Sequence, residues 1–195
     1  MTIPYEYIDK MTNSLKAIDH ELNKIHEGNA FVGHFDNTTA NNDDDVSCIG
    51  FTTPSTSKWI HMFIQVTASQ PAEFFLEEGV TITNGKGTEQ TIYNRNRNSA
   101  NTSAVISLAG TPAAGSITTY TEAQFNDTSG YSVGTIIDHV LLAGGEGPKA
   151  VGGTSRSNAG WILIPGTKYF FRLQNVGANV NIHEVHIGWH EHISL

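Results

Sequence analysis

The stretch KWIHMFIQVTA, residues 58–68, alternates aliphatic side chains with aromatic and polar ones. Because successive side chains of an extended chain point to opposite sides, the aliphatic set falls on a single face. This period of two predicts a long β-strand that turns one face towards a core. The aliphatic face consists of Ile60, Met62, Ile64 and Val66, and the opposite face carries Trp59, His61, Phe63 and Gln65.

On both sides of this strand, short runs of strand-forming residues are separated by turns rich in glycine, asparagine and proline. Many short strands with such spacing are typical of an all-β sandwich or barrel. Pro165 and Gly166 lie between two strongly apolar runs and predict a tight hairpin turn. The sequence therefore predicts one all-β domain over residues 29–195. The other predicted strands cover residues 30–35, 46–51, 74–77, 80–83, 91–93, 104–108, 116–121, 136–143, 161–164, 168–175 and 180–189.

The first 28 residues have a different pattern, in which six apolar residues are spaced alternately by three and four. This spacing is the a/d seam of an amphipathic helix. Pro4 suits a first helical turn and Gly28 suits the residue that follows the last turn, so we predict a helix over residues 4–27. The seam fits a helix packed on its own domain, and it also fits a coiled coil of more than two chains. Its residues are Ile8, Met11, Leu15, Ile18, Leu22 and Ile25.

The 195-residue chain has 11 basic and 19 acidic residues, a net charge of −8 with its nine histidines neutral. Nucleic-acid binding needs a basic stripe that replaces counterions, so we expect no nucleic-acid partner. The single cysteine, Cys48, excludes an intrachain disulfide and fits assembly in a reducing cytoplasm. The N-terminal residues lack the apolar region of a signal peptide, and no apolar run is long enough to span a bilayer. We therefore expect no membrane partner.

The chain carries no recognisable motif for catalysis or for a cofactor, so we expect neither an enzyme nor a cofactor. The aspartates at 43–45 do not form an EF-hand, because Cys48 and Pro54 take the positions of its glycine and its bidentate acid. A group of histidines near the C-terminus predicts an exposed polar strand face in place of a metal site, since imidazoles on one strand lie too far apart to share an ion. A pH-sensitive interface is an alternative for this group. The group contains His183, His186, His190 and His192, of which the last three would share the exposed side of the strand.

Residues 93–103 read YNRNRNSANTS, in which asparagine alternates with Arg95 and Arg97. In an extended segment the two arginines would share one face. Each guanidinium has five donors in a planar fork, and each asparagine amide both donates and accepts. Two interpretations stay open: an internal staple that ties loops together, or a contact with another subunit or a capsid. The candidate contact residues are Tyr93, Asn94, Arg95, Asn96, Arg97 and Asn98.

Four stretches occur in an order that resembles a group of tailed-bacteriophage virion proteins. They are H-E-G-x-A-F at 26–31, YNRNRNSANTS at 93–103, W-I-L-x-P-G-T-x-Y-x-x-R-x-x-N at 161–175, and I-x-W-x-E at 187–191. The resemblance covers nearly all of the predicted β region. Members of the group usually have tyrosine after the final tryptophan, whereas this chain has His190.

The resemblance implies a structural virion component, such as a capsid decoration (cement) protein or a head-fibre protein on the outside of the head. It implies a jelly-roll-like antiparallel β-sandwich. The expected fold is therefore all-β, with the N-terminal amphipathic α-helix predicted from the heptad spacing, residues 1–28, preceding the sandwich. The expected partners are the major capsid protein, or another virion protein, and further copies of the chain, with a trimer favoured. The protein would be assembled in the host bacterial cytoplasm and located in the virion.

A second hypothesis is a tail, baseplate or head-fibre module that binds a host-surface glycan. In such a module, loop aromatics would stack on sugar rings. The candidates are Tyr120, Tyr131 and Trp161.

Overall fold

The computed structural model describes residues 20–40, 42–82, 85–143 and 160–193. Within these ranges the chain forms two antiparallel β-sheets, which confirms the predicted all-β sandwich. Neither helix in this part of the chain is long and apolar enough to cross a membrane.

Only the end of the predicted N-terminal helix lies within the described ranges, as α1, His20–His26. It includes Leu22 and Ile25 of the heptad seam. The other seam residues, Ile8, Met11, Leu15 and Ile18, lie outside the described residues.

One sheet has five strands in the order β10-β3-β12-β1-β6, and the other has β5-β8-β2-β11-β4-β9 with the short β7 paired to β2. The five-stranded sheet contains β1 (Ala30–Ala40), β3 (Lys58–Ala68), β6 (Tyr93–Asn94), β10 (Trp161–Leu163) and β12 (Asn181–Ile193). The seven-stranded sheet contains β2 (Val46–Thr52), β4 (Ala72–Glu78), β5 (Thr88–Thr91), β7 (Ile106–Ser107), β8 (Ser116–Thr121), β9 (Thr135–Leu142) and β11 (Lys168–Asn175).

The main core lies between the two sheets and is built from the apolar face of each strand. Its centre is aromatic: the ring of Phe51 lies 5.3 Å from that of Phe171 and 6.5 Å from that of Trp189, measured between centroids. Large rings remove much apolar surface from water, so these contacts contribute strongly to stability. The aliphatic face predicted for β3 takes part, with Ile60, Met62 and Val66 buried and Ile64 packed against the core.

A second, smaller core covers the outer face of the seven-stranded sheet. It is closed by α2 (Glu122–Asn126) and by the loop after it, whose Tyr131 stacks on Phe170 at 5.4 Å between centroids. Helix α2 was not predicted, although Thr121 and Gln124 form part of a capping box: the Gln124 side-chain oxygen accepts the Thr121 N–H at 3.0 Å. Cys48 lies in this core, and burial raises the pKa of its thiol well above the ordinary value.

A charged network is enclosed by this second core. Glu77 is fully buried, and its carboxylate accepts hydrogen bonds from Nε of Arg172 at 2.7 Å and from the hydroxyl of Tyr131 at 2.5 Å. The guanidinium of Arg172 also lies 4.2 Å above the ring of Phe75. A buried carboxylate needs such partners, because an unpaired buried charge is strongly destabilising.

Strands β3, β8 and β11 have the predicted bounds, while β1 continues to Ala40, beyond its predicted end at residue 35. The predicted hairpin at Pro165 and Gly166 is wrong. A tight turn is present, with Gly166 at φ 67°, but it connects β10 and β11, which belong to different sheets. Thr53 stabilises this connection between the two sheets. Its hydroxyl donates to the carbonyl of Ile164 at 2.6 Å and accepts the N–H of Thr167 at 2.9 Å.

Candidate functional site: the helix clamp and the histidine cluster

Helix α1 ends in a Schellman motif at the position predicted from the sequence. Gly28 has φ 71°, its N–H donates to the Ile25 carbonyl at 3.0 Å, and the N–H of Asn29 donates to the Lys24 carbonyl at 2.9 Å. Glycine is favoured here because a residue with a Cβ is strained at positive φ. The chain then enters β1 directly, so the helix is joined to the sandwich by a short, defined turn.

The asparagine–arginine segment, residues 93–101, forms hydrogen bonds with this helix end, and we call it the helix clamp. Asn94 is buried, and its Nδ2 donates to the carbonyls of Gly28 at 2.8 Å and Asn101 at 3.0 Å. Asn96 Nδ2 donates to the His26 carbonyl at 3.1 Å. The last carbonyls of a helix have no partner within it. The clamp therefore satisfies them while fixing the helix to the sheet.

The alternation of asparagine in the clamp has a local cause. Oδ1 of Asn94 accepts the N–H of Asn96 at 2.9 Å, and Oδ1 of Asn96 accepts the N–H of Asn98 at 3.1 Å. Each asparagine thus stabilises a turn two residues further on. Because β6 ends at Asn94, the segment is not extended, and the expectation that both arginines share one face of an extended chain is wrong.

The two arginines have separate roles. Arg95 forms an ion pair with Glu21 of α1, which adds a charged contact between clamp and helix. Arg97 lies over the ring of Tyr93, with its guanidinium carbon 5.4 Å from the centroid. The internal staple therefore accounts for Asn94, Asn96 and Arg95. The side chains of Tyr93, Arg97 and Asn98 are exposed.

We predict that Gly28→Ala loosens the helix end. A Cβ there would lie 2.2 Å from Oγ of Ser99 in the clamp, and the positive φ adds strain of about 1–2 kcal/mol. Gly79 is the matched control, because it has φ 72° and nothing within 4 Å of an added Cβ. Urea denaturation should show a larger loss of stability for Gly28→Ala than for Gly79→Ala. Equal losses would mean that the clamp accommodates the added methyl group without any further loss of stability.

Three histidines from two neighbouring strands form what we call the histidine cluster, on the outward face of the five-stranded sheet. His61 of β3 is opposite His190 of β12, and their rings stack with centroids 4.7 Å apart. Nε2 of His192 lies 2.6 Å from Nε2 of His61, so one imidazole donates a hydrogen bond to the other. Trp59 and Phe63 border the cluster, 5.9 Å from His192 and 6.1 Å from His190.

The prediction of an exposed polar face is wrong for His190, which is 4% exposed within the cluster. His183 lies on the other side of the strand, where it points into the core and is fully buried. His186 does lie on the outer face, where it stacks on His34 at 5.6 Å. No three His, Cys, Asp or Glu side chains in the described ranges are arranged to hold a metal ion. Sequence reasoning missed His61, because β3 is far from β12 in the sequence although the two strands are neighbours in the sheet.

His183 belongs to a buried polar group at the other end of the sandwich. Its Nδ1 lies 2.9 Å from the hydroxyl of Ser47, which also accepts a hydrogen bond from Asn37 Nδ2 at 2.8 Å. Burial lowers the pKa of His183 to about 4, although the charge of Asp45 opposes this shift. Ser47 and His183 are both 0% exposed, so this pair is closed to any substrate.

The aspartates at 43–45 form hydrogen bonds with neighbouring parts of the fold. Asp43 accepts the N–H of Gly177 at 2.6 Å, and Asp44 accepts Nε2 of Gln174 at 2.6 Å. Asp45 is buried and accepts the N–H of Asn42 at 2.9 Å.

The aromatic residues proposed for sugar stacking are not available as loop platforms. Tyr120 is fully buried, Tyr131 stacks on Phe170, and Trp161 packs against the main core. An exposed tryptophan is found elsewhere: Trp59 borders an apolar cavity of about 210 Å³ that is also lined by Ile162–Pro165.

No protein-family model matches the chain, and neither a curated protein nor a solved structure matches it.

Proposed function

We propose that this protein is a non-enzymatic structural component of a tailed-phage virion, a capsid decoration protein that binds the outside of the head and stabilises it. In this proposal the sandwich is jelly-roll-like and the N-terminal helix joins copies of the chain, with a trimer favoured. The partner on the head is the major capsid protein or another virion protein.

The observation that carries the proposal is the way in which the helix clamp presents α1. Asn94, Asn96 and Arg95 hold the helix end to the sheet, while Leu22 of the heptad seam remains 46% exposed. A large apolar side chain on a firmly held helix is suited to burial against another molecule, which contributes roughly 25 cal/mol per Å2 of apolar surface removed from water. Symmetric copies would multiply that gain.

Burial of the reactive side chains supports a structural role over an enzymatic one. The Ser47–His183 pair is closed to solvent. The carboxylate of Glu191 is 2% exposed and accepts hydrogen bonds from the hydroxyl of Ser103 at 2.6 Å and the N–H of Ala104 at 2.9 Å. These groups stabilise the interior, and none of them faces a cleft.

Several residues of the motifs that resemble those of phage virion proteins lie in the interior. Arg172 pairs with buried Glu77, Trp189 fills the main core, and Asn175 Nδ2 donates to the Asn42 carbonyl at 2.9 Å. These residues specify the scaffold of the sandwich. The proposed contacts with other subunits therefore involve the helix seam, whose Leu22 is exposed, and the exposed side chains of the clamp.

Electron microscopy of reconstituted heads tests the proposal. Purified protein is mixed with capsids that lack it, and the heads are imaged after removal of unbound protein. We expect ordered density on the outer shell, whose symmetry axis gives the number of copies at each site. Absence of density on a competent shell would contradict a role in decoration and would favour a tail or fibre location.

We predict that Leu15→Asp combined with Leu22→Asp abolishes self-association, because two charges would replace apolar residues at the a positions of the seam. Leu141→Asp is the matched control, since Leu141 is 69% exposed on β9, an edge strand of the seven-stranded sheet. Light scattering should give the mass of a single chain for the seam variant and an unchanged mass for the control. An unchanged mass in both would reject the seam as the oligomer contact.

A tail or fibre module that binds a host glycan is the second candidate, and Trp59 is the observation that favours it. Its indole is 38% exposed beside the apolar cavity formed with Ile162 and Ile164, where a sugar ring could stack. A glycan array should then show binding that is lost in Trp59→Ala. Binding that persists in this variant would exclude Trp59 as the platform.

A further inference from the structure

A cavity of about 270 Å³ opens on the outer face of the seven-stranded sheet, beside the second core, and we call it the lysine cavity. Its wall includes Lys168 of β11, the residue after which we name it, and Thr52 of β2. Ile82 and Leu108 belong both to this wall and to the second core. The wall is therefore part of the folded interior, so the cavity is formed without a ligand.

Lys168 and Thr52 lie side by side in this cavity. They are paired in the ladder between β11 and β2, which places their Cβ atoms roughly 5 Å apart. Phe170 packs in the second core on the outer face, whereas Tyr169 packs in the main core between the sheets. Because side chains alternate along a strand, Lys168 shares the outer face with Phe170, and its paired residue Thr52 points the same way.

Both side chains have hydrogen-bond donors that their described neighbours do not use. The ammonium of Lys168 has three N–H groups and donates to the carbonyl of Ile82 at 3.2 Å. The hydroxyl of Thr52 forms no hydrogen bond with any residue that the structure describes. Ser107, which is 1% exposed, also lines the cavity, and its hydroxyl accepts the N–H of Ala113 at 3.0 Å. These donors suit a ligand that brings acceptor oxygens.

The positive charge of Lys168 is not balanced by a carboxylate within the described ranges. Its half-buried side chain forms no ion pair there. Arg172, on the same face of β11, is paired with the buried carboxylate of Glu77. Asp127, on a neighbouring segment, is paired with Lys86 at 3.7 Å. An anion that enters the cavity would meet an unpaired cation at a partly buried position, where attraction is stronger than in bulk water.

The remaining wall is largely apolar, and this determines the kind of anion. Ile82, Ile106 and Leu108 contribute aliphatic side chains. A carboxylate at the end of a short aliphatic chain can place its oxygens at Lys168 and Thr52 and bury its methylene groups against these residues. An anion that is polar on all sides has no such apolar contact to gain. The cavity is slightly smaller than the roughly 300–1,000 Å³ of pockets for drug-sized ligands, so the ligand is small.

We propose that the lysine cavity is a binding site for a carboxylate on a short aliphatic chain, whose oxygens are bound by the ammonium of Lys168 and the hydroxyl of Thr52. This site goes beyond the proposed role in a virion and does not depend on it. A free short-chain acid has this chemistry, and so does the C-terminus of a protein chain that ends in an aliphatic residue.

Methyl NMR of the full chain tests the site with pentanoate as the probe. The signals of Ile82 and Ile106 should shift saturably, with a Kd on the order of a millimolar, as expected of so small a ligand. Ile162 is the internal control for non-specific apolar binding, because it is 55% exposed on the other sheet, and its signal should not move. Pentanamide, which has the same chain without the charge, should bind roughly tenfold more weakly. No saturable shift with pentanoate, or equal binding of pentanamide, overturns the proposal.

Two lysine variants test the role of the charge. Lys168→Met removes the cation and keeps the length of the side chain, so pentanoate should bind roughly tenfold more weakly or worse. Lys86→Met is the matched control, because it removes a cation that follows Gly85 of the cavity wall, and it should change the Kd less than about twofold. Unchanged affinity in the folded Lys168→Met variant, or equal losses in the two variants, overturns the proposal.

Thr52→Val gives an independent test if Lys168→Met does not fold. It removes the hydroxyl and keeps the shape of the side chain, so the Kd for pentanoate should rise roughly fivefold, as expected when one hydrogen bond is lost. An unchanged Kd in this variant would contradict the site, because Thr52 is the described donor paired with Lys168.

A peptide that ends in leucine distinguishes the two sources of the carboxylate. It is titrated as the free acid and as the C-terminal amide. Shifts of Ile82 and Ile106 with the acid peptide would assign the site to a chain terminus, and shifts with pentanoate alone would assign it to a free acid. Both results support a carboxylate site. Equal shifts with the amide peptide would contradict it, because the charge would then play no part.

Discussion

Arg172→Met will lower the free energy of unfolding by about 3–5 kcal/mol, because it leaves a buried carboxylate without its cationic partner. Glu77 is 0% exposed, and Nε of Arg172 lies 2.7 Å from its Oε1. Methionine keeps most of the side-chain volume above the ring of Phe75, so the loss reports the charge and not a cavity. The measurement is urea denaturation near neutral pH.

The loss of stability in Arg172→Met should be large because the ion pair is buried, and two further variants test this reason. Glu77→Leu combined with Arg172→Met removes both charges and should recover most of the loss, because apolar replacements for a buried ion pair are often neutral or stabilising. Lys86→Met breaks an exposed pair, in which Nζ lies 3.7 Å from Asp127, and should cost roughly 0.5 kcal/mol or less. Equal costs for Arg172→Met and Lys86→Met would contradict the role of the buried network.

The strands could be predicted wherever one face of a segment is buried and the other is not. Residues 58–68, 116–121 and 168–175 have the predicted bounds because their alternation reflects the two sides of a sheet. The end of the helix at Gly28 was also predictable, since positive φ favours glycine. These features depend on local geometry, which neighbouring residues determine.

Features that depend on distant pairing could not be predicted. The turn at Pro165 and Gly166 suits a hairpin and a sheet crossing equally well, and the choice depends on hydrogen bonds to Thr53. The histidine cluster likewise needs the register that places His61 opposite His190. Each of these contacts joins residues more than a hundred positions apart, so no local sequence pattern predicts them.

The clamp shows how far a motif can be interpreted from sequence. The donor and acceptor capacity of asparagine and arginine fitted either an internal staple or a contact with another subunit or a capsid, and Asn94 and Asn96 do hold the helix end. The sequence did not show which groups would be held. That depends on Gly28 lying beside the clamp, close enough for Ser99 to contact an added Cβ.

The pH dependence of stability should depend strongly on His183. Burial lowers its pKa to about 4 in the folded chain, whereas an unfolded histidine titrates near 6.5. Above about pH 6.5 the imidazole is neutral in both states and contributes no pH dependence. Between these values the unfolded chain binds a proton that the folded chain does not, so stability falls as the pH falls. Below about pH 4 both states bind the proton and the loss is complete.

The full loss across this window is on the order of 3 kcal/mol, since each unit of pKa shift corresponds to about 1.4 kcal/mol. His183→Gln removes the titrating group and keeps a polar side chain near Ser47, so its stability should fall much less between about pH 7 and about pH 4.5. His139→Gln, an exposed histidine on β9, should keep the wild-type dependence. Urea denaturation at both pH values gives the comparison. A fall in His183→Gln as large as that of the wild type would show that acid destabilises the protein through other groups, because only His183 is missing from that variant.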